Sequence, residues 1–495
     1  MGLQRSLEKL NDAFRGGYPI IYIMSWEEDR VEKALRVIGE RLMEDGIFAV
    51  WTCASGLKGM PGKELIKAEP ADAIDEAIKS EYKGIYLFKD LTDYLERDLV
   101  LVRKLRDAYY ALKGKKKFIV MLSPKYFLPE QLRKEVYLVE FDLPDENEIY
   151  ECIKPILKAL VKNENLRDDY IKELSMAMKG LTLNEVMHTI NKIYSRKISL
   201  EEGMESVFRE KEQIVRKEGI LEFVPPRYNL DDIGGLDALK EWLIKRANLF
   251  TRKALEADMP VPRGILLMGV SGCGKSLGIK VISSLWKVPL FRLDMNLVFS
   301  GVLGSAESVF HKALKQLEAM APAILWIDEI EMGVAGYREG ETVTSAHIFA
   351  HFLTWMQEKD KMVFVGATAN RIHLLPAEII RKGRFDQIFF IDLPNEEERK
   401  QIFSIHIKKN GGDPNLFDLV FLAAATKGWN GSEIEQAVIS ARIDAFYEGR
   451  QFNFDDVIRN TSKIIPLSQT MESQIKQIKS WAFQRAVPAS GKPIR

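Results

Sequence analysis

Each of the things this sequence lacks rules out a class of protein. Only three cysteines occur in 495 residues (Cys53, Cys152 and Cys273), and they are widely spaced. They make neither a disulfide framework nor a zinc pattern, and they fit a reducing compartment. Net charge is zero, with 71 basic residues against 71 acidic ones. Nucleic acid is therefore not favoured as a partner, since that affinity rests on basic side chains against phosphate, although a local basic patch stays open. No apolar run approaches the roughly 18 residues of a membrane span. The opening stretch MGLQRSLEKLNDAFRGG mixes both signs of charge and lacks the apolar core of an export signal, so a soluble, cytoplasmic protein is expected. Low-complexity segments are missing too. What remains is ordinary globular composition, 46% hydrophobic and 29% charged, at a length that predicts about three or four domains of roughly 100–200 residues.

The strongest local signal lies at 264–286, GILLMGVSGCGKSLGIKVISSLW: an apolar run, then Gly269-x4-Gly274-Lys275-Ser276, then a helical pattern. A strand, a glycine-rich turn and a helix in that order make a phosphate cradle. Backbone N–H groups through Ser271, Gly272, Cys273 and Gly274 wrap the oxygens, Lys275 supplies a point charge, and the Ser276 hydroxyl reaches Mg²⁺. The run AILWIDEI (323–330) then ends in Asp328-Glu329, and acids at the carboxyl end of a buried parallel strand stand where ligands bind. Asp328 is expected to hold Mg²⁺ through water, and Glu329 to act as general base toward the attacking water. A third run, MVFVGATAN, ends on Asn370, which suits a sensor of the γ-phosphate. One such residue alone reads as a solvated strand end, whereas three in order after a phosphate loop read as one ATP site. Cys273 is taken as a tolerated small residue rather than a redox switch. His347 and His351 stand four apart, as zinc ligands can, but HIFAH lacks the glutamate of a metalloprotease motif and no third ligand is in view, so zinc is set aside.

The order of phosphate loop, IDE, ATAN and AEIIRKGRFDQIFFIDLP resembles the AAA clade of P-loop ATPases, the valosin-containing protein class. That resemblance covers 230–465. It implies an α/β AAA+ module with a helical lid, Mg²⁺-dependent ATP hydrolysis in a homo-oligomeric, hexameric ring, and remodelling of a protein partner. By matching positions it implies that Arg381 and Arg384 reach the ATP of a neighbouring subunit, that Asp232, Ile233 and Gly234 of NLDDIGGLDALK lie on the adenine side, and that Gly431 and Ser432 of KGWNGSEIEQAV bring the lid near the nucleotide. The tail PLSQTMESQIKQIKSWAFQRAVPAS and the N-terminal half are similar, more narrowly, to AAA ATPases encoded by a conserved open reading frame of cyanobacteria and algal plastids. This implies a link to photosynthetic carbon use and a plastid stroma location where the gene is plastid-borne. One departure matters. Threading members carry a pore-loop aromatic where this chain has Val302 and Leu303, which leaves room for an alternative: a slow nucleotide-state switch or scaffold that binds a protein or RNA partner.

The chain also repeats itself. FDLPDENE (141–148) returns as IDLPNEEE (391–398), and KGLTLNEV (179–186) returns as KGWNGSEI (427–434); the spacing from Leu143 to Gly180 is 37 residues, and from Leu393 to Gly428 it is 35. GIYLFKDL takes the place of AILWIDEI, and KKFIVMLSP that of MVFVGATAN. The N-terminal half therefore reads as a degenerate copy of the ATPase fold. PIIYIMS runs straight into WEEDRVEKALRVIGERL with no glycine loop, Ser25 and Glu28 have capping-box spacing, Lys89-Asp90 replaces Asp328-Glu329, and no RxGR precedes FDLP. The expected organisation is a degenerate α/β domain (1–144), a lid-like helical region (145–200), a helical linker closed by Pro225-Pro226 (201–229), the ATPase domain (230–395), its lid (396–465) and a tail (466–495).

Overall fold

The computed structural model describes residues 2–62, 69–157, 164–196, 200–302, 304–333, 343–381 and 383–491. Leu303 and the last residues of the tail lie outside the described residues. The chain divides into two compact units, Met1–Ile198 and Ser199–Arg495.

The first unit is built on β1 (Ile20–Met24), β2 (Ile47–Thr52), β3 (Gly56–Lys58), β4 (Gly84–Lys89), β5 (Lys117–Ser123) and β6 (Val136–Glu140), in the order β3-β2-β4-β5-β1-β6. Its central strands are apolar throughout because both faces are covered. Ile21, Ile23, Ile85, Leu87 and Val120 share one core with Val31, Leu35 and Ile38 of the helix Glu28–Leu42. Tyr22, Tyr86, Phe88, Ile119 and Met121 share the other with the helices Pro70–Lys79 and Leu99–Leu112. The second unit uses β7 (Leu221–Val224), β8 (Gly264–Gly269), β9 (Leu290–Leu293), β10 (Ala323–Ile327), β11 (Val363–Ala369), β12 (Gln387–Ile391) and β13 (Val487–Pro488), in the order β13-β12-β8-β11-β10-β9-β7.

Without β3, β7 and β13, the two sheets have one topology. β6-β1-β5-β4-β2 corresponds to β12-β8-β11-β10-β9, and every neighbouring pair is parallel. A shared strand order says far more than a shared α/β class. The first half is an ATPase-like fold. The repeated octapeptides explain themselves in this frame. Asp145 accepts from the Glu148 amide at 3.1 Å while Glu148 accepts from the Asp145 amide at 3.2 Å, and Asn395 and Glu398 exchange the same pair of bonds. Thr182 with Glu185, and Asn430 with Glu433, form a second matched set, each two residues after a left-handed glycine, Gly180 (φ 89°) and Gly428 (φ 83°). Each signature is thus a capping box that starts a helix of the lid.

Several expectations change. Ser25 and Glu28 do not cap the helix. It starts at Glu28 with Glu27 at the N-cap, and Ser25 Oγ accepts from the Glu27 amide at 3.1 Å instead. The Glu27 carboxylate is engaged elsewhere, by Arg30 and the Leu183 amide. Residues 201–229 are not a free linker. The helix Leu200–Glu218 leads into β7, which pairs antiparallel with β9, setting the rings of Phe223 and Phe291 5.9 Å apart, and buried Lys211 donates to the Met320 carbonyl at 2.8 Å. At the opposite edge the tail supplies β13, parallel to β12, and Ala489 donates to the Phe390 carbonyl at 2.9 Å. Both additions cover what would otherwise be an open sheet edge. Lastly, the short helical turn Glu130–Leu132, entered from Pro129, occupies the slot between β5 and β6 that Ala377–Ile380, entered from Pro376, occupies between β11 and β12. It ends on Arg133, where the second unit has Arg381, so one of the two arginine positions is retained.

Candidate active site

β8 ends at Gly269, where φ is 142° and an added Cβ would stand 2.0 Å from the Ile391 carbonyl oxygen, so only glycine lets the chain leave the sheet here. The loop Val270–Gly274 then enters the helix Lys275–Trp286 with Gly274 left-handed at φ 92° and open space where its Cβ would be. The result is a backbone concavity at a helix N-terminus, which favours an anion. Lys275 is 6% exposed, and its Nζ donates to the carbonyls of Gly269 and Val270 at 3.0 and 2.7 Å. Burial pushes this lysine below its usual range, against the pull of the nearby acids. Burial also pushes the Cys273 thiol up to about 12, so it is a neutral thiol at physiological pH and no redox nucleophile.

The acids arrive from neighbouring strands. Asp328 Oδ1 accepts from Ser276 Oγ at 3.1 Å and from Thr368 Oγ1 at 2.6 Å. Glu329 is left-handed (φ 49°), its amide donates to Thr368 Oγ1 at 2.9 Å, and its Oε1 accepts from Asn370 Nδ2 at 2.7 Å. Glu331 is fully buried, and its Oε1 accepts from the amides of Asn370 and Arg371 at 2.8 and 3.0 Å. Glu331 Oε2 and Asn370 Oδ1 are buried with no hydrogen-bond partner in the described chain.

Lys275, Ser276, Asp328, Glu329, Thr368 and Asn370 line one cleft of about 500 Å³ with Asp232, Ile233, Gly234, Ser271, Gly272, Cys273, Gly274, Gly431 and Ser432. Asp232 accepts from the Asn229 amide at 2.7 Å and pairs with Lys409 at 2.7 Å; burial raises its carboxyl, but those two partners hold it below the usual range. The lid docks directly on the phosphate loop. The Ser432 amide donates to the Gly272 carbonyl at 3.0 Å, and a Cβ on Gly431 would come within 3.1 Å of that oxygen. Buried ammonium, amide concavity, hydroxyl beside carboxylate and unpartnered polar atoms together fit a nucleoside polyphosphate with a divalent cation.

Comparison with known proteins agrees. Residues 265–393 match the ATPase family associated with various cellular activities (AAA), residues 6–141 the SpoVK-like AAA ATPase N-terminal domain, and residues 147–218 the SpoVK-like AAA ATPase second domain. The "Uncharacterized AAA domain-containing protein ycf46" of Trieres chinensis is 37% identical over 484 residues, 96% of this chain and 97% of that protein. The protein of the same name from Pyropia yezoensis is 36% identical over 471 residues, 94% of this chain and 95% of that one. The chain belongs to the AAA ATPase family. More distantly, the proteasome-activating nucleotidase of Sulfurisphaera tokodaii is 30% identical over 256 residues, 48% of this chain and 63% of that protein.

In this AAA ATPase the structure brings together in the cleft all the sequence-derived candidates except three. Gly269 shapes the loop from the strand end, and Arg381 and Arg384 do not line the cleft. Arg381 is exposed, while Arg384 donates to the Glu378 carbonyl. Sequence reasoning missed Thr368, which ties Asp328 to Glu329, as well as Glu331, Lys280, Tyr228 and His406. Thr368 carried a signal: it stands two residues before Asn370, at the end of β11 that faces the cleft. The SpoVK-like second domain match runs to 218, yet the helix Leu200–Glu218 packs on β7 of the second unit. Among the described residues no helix is long and apolar enough to cross a membrane.

Proposed function

We propose that this AAA ATPase hydrolyses ATP with Mg²⁺ in a hexameric ring of like subunits and couples turnover to remodelling of a protein partner. The meeting of Lys275, Ser276, Asp328, Glu329 and Asn370 in one cleft carries this reading. Ser276 and Asp328 would hold the metal, which when bound neutralises charge on the β and γ oxygens. Lys275 offers the phosphates an ammonium that burial has left poorly compensated. Glu329 takes the proton of the attacking water. Asn370 gives Glu329 one of its two amide hydrogens and keeps the second for the γ-phosphate. Arg381 and Arg384, outside their own cleft, are the groups one subunit would lend another. The similarity to proteasome-activating nucleotidases, whose name states a protein partner, favours a protein client over nucleic acid. The resemblance to AAA ATPases of cyanobacteria and algal plastids extends the proposal to regulation of photosynthetic carbon use, in cytoplasm or plastid stroma. One observation favours a second reading, a slow nucleotide-state switch or scaffold: Val302, 77% exposed, stands where threading members carry an aromatic.

The test is a pair of variants. Lys275→Ala should weaken ATP binding, while Glu329→Gln should bind ATP yet turn over about 10²–10⁴-fold more slowly. Normal turnover by the Glu329→Gln protein would sink the assignment. Affinity capture with that variant supplies candidate clients, and a client that raises wild-type turnover separates a remodeller from a switch.

A further inference from the structure

The histidines set aside in the sequence gain partners in the fold. His347 and His351 stand one turn apart on the helix Val343–Glu358, and the adjacent helix Ala306–Ala319 carries Glu307 and His311, also one turn apart. The two helices are in register. His347 Nδ1 lies 4.0 Å from Glu307 Oε1, and the rings of His311 and His351 have centroids 5.8 Å apart. These four are the polar residues around one cavity of about 480 Å³, and the rest of its lining is Phe310, Ile348 and Ala350. Half of the chain's six histidines therefore face one hollow. Phe310 fixes its floor, packing edge-on against His351 at 6.4 Å and against Phe352 at 6.2 Å.

We propose that Glu307, His311, His347 and His351 form a binding site for a borderline divalent cation, Zn²⁺ above all. Residues four apart share a helix face, so two such pairs on neighbouring helices place four donors at the corners of a small quadrilateral. Three imidazoles and a carboxylate are a zinc donor set. As they stand, no three such donors among the described residues lie close enough to hold an ion. Two ligand atoms on one zinc at ~2.0–2.1 Å each lie roughly 3.3 Å apart, against 4.0 Å for Glu307 and His347. All four side chains are exposed, Glu307 and His347 to 59% and 66%, so rotation about their side-chain bonds closes the set without unpacking the core. Mg²⁺ prefers oxygen ligands in octahedral array, which separates this site from the Ser276–Asp328 cleft. A bound ion would brace the two helices, one of which is entered from the loop that carries Val302.

The experiment uses the full chain, stripped of metal with a chelator and held in excess Mg²⁺. Zn²⁺ titrated calorimetrically should saturate at one ion per chain. His311→Ala or His351→Ala should weaken that binding by at least ~10–100-fold, the cost of losing even an outer-shell partner, while His188→Ala in the first unit leaves it unchanged. Co²⁺ as a spectroscopic probe should give the intense visible bands of a tetrahedral site, lost in the same two variants. Circular dichroism confirms that these surface variants fold. The proposal is overturned if Zn²⁺ binding never saturates, or if the His311→Ala/His351→Ala double variant binds Zn²⁺ as tightly as the parent.

Discussion

Where the second unit has Lys275 and Asp328, the first has a glutamate and a lysine. Lys275 and Glu28 each open the helix that follows the first central strand, and Asp328 and Lys89 each stand at the end of the third. The signs are exchanged. In the second unit Lys275 donates to two carbonyls and Asp328 accepts from two hydroxyls, whereas in the first the charges pair with each other: Lys89 Nζ lies 2.8 Å from Glu28 and 3.3 Å from Glu32. The backbone beneath is unchanged, since Asp90 (φ 56°) and Glu329 (φ 49°) are left-handed at the same step. The two units share this backbone step and differ in the side chains it carries, and the first unit also has the shorter strand-to-helix connection. A phosphate near Glu28 would now face about 4 kcal/mol of repulsion per unit charge at 4 Å and an effective dielectric of 20. Lys89 is 16% exposed and Glu28 47%, and an ion pair at that edge of solvent contributes on the order of 1 kcal/mol.

The arginines offer the largest contrast. If Arg381 and Arg384 act across subunits, replacing either with alanine should leave ATP binding intact and cut turnover by about 10³–10⁵-fold, by analogy with arginine fingers. Arg133→Ala, in the matching slot of the first unit, should leave turnover unchanged because no competent site lies in that half. Steady-state hydrolysis on the three variants checks this, and a loss in Arg133→Ala would erase the proposed asymmetry.

A smaller contrast concerns what joins each lid to its sheet. In the second unit the phosphate loop is tied to the lid by a backbone bond, Ser432 to Gly272, beside the half-exposed Lys409–Asp232 pair. In the first the tie is a buried charge cluster. Arg30 holds Glu148 with two bonds at 3.0 and 2.6 Å, Glu27 at 2.8 Å and the Asp142 carbonyl at 2.6 Å, and Glu27 accepts from the Leu183 amide. Burial raises the Glu27 carboxyl, and the Leu183 amide and Arg30 offset it. Arg30→Ala strands two acids and should cost about 3–5 kcal/mol, while Ser432→Ala, which removes only a 3.4 Å hydroxyl contact, should stay within about 0.5 kcal/mol. Urea unfolding of the two variants measures both.

What was legible in the sequence followed from strong local chemistry. The phosphate loop, Asp328-Glu329, Asn370 and the two repeated signatures each rest on particular residues at fixed spacing; the fold gathers the first three at one cleft, and only the structure shows the repeats to be capping boxes. Arg133 stands in no RxGR motif, and its structural marker is a proline-entered turn between two strands, which no local pattern displays. Ser25 was misread because tertiary bonds to Glu27 moved the helix start by two residues. The edge strands β7 and β13, four and two residues long, are too short to carry a periodicity, and their pairing depends on an open edge distant in sequence. Glu331 gave no signal, since a buried acid that receives two amides looks the same in sequence as an exposed one.

The smallest expected effect is none at all, and it sharpens the comparison most. Calorimetry on the Glu329→Gln protein should find one nucleotide per chain, bound by the second unit. The charge exchange alone can be undone with Glu28→Lys and Lys89→Asp together, which keeps the ion pair with its polarity reversed. The stoichiometry should still be one. Three residues, Ser25 to Glu27, separate strand from helix in the first unit against five, Val270 to Gly274, in the second, too few to wrap a phosphate in amides, and the Glu27 carboxylate already takes the Leu183 amide of the lid. A second nucleotide in the charge-exchanged variant would mean that electrostatics, not the missing loop, closed the first site. A second nucleotide in the parent would mean that the first unit had never lost its ligand.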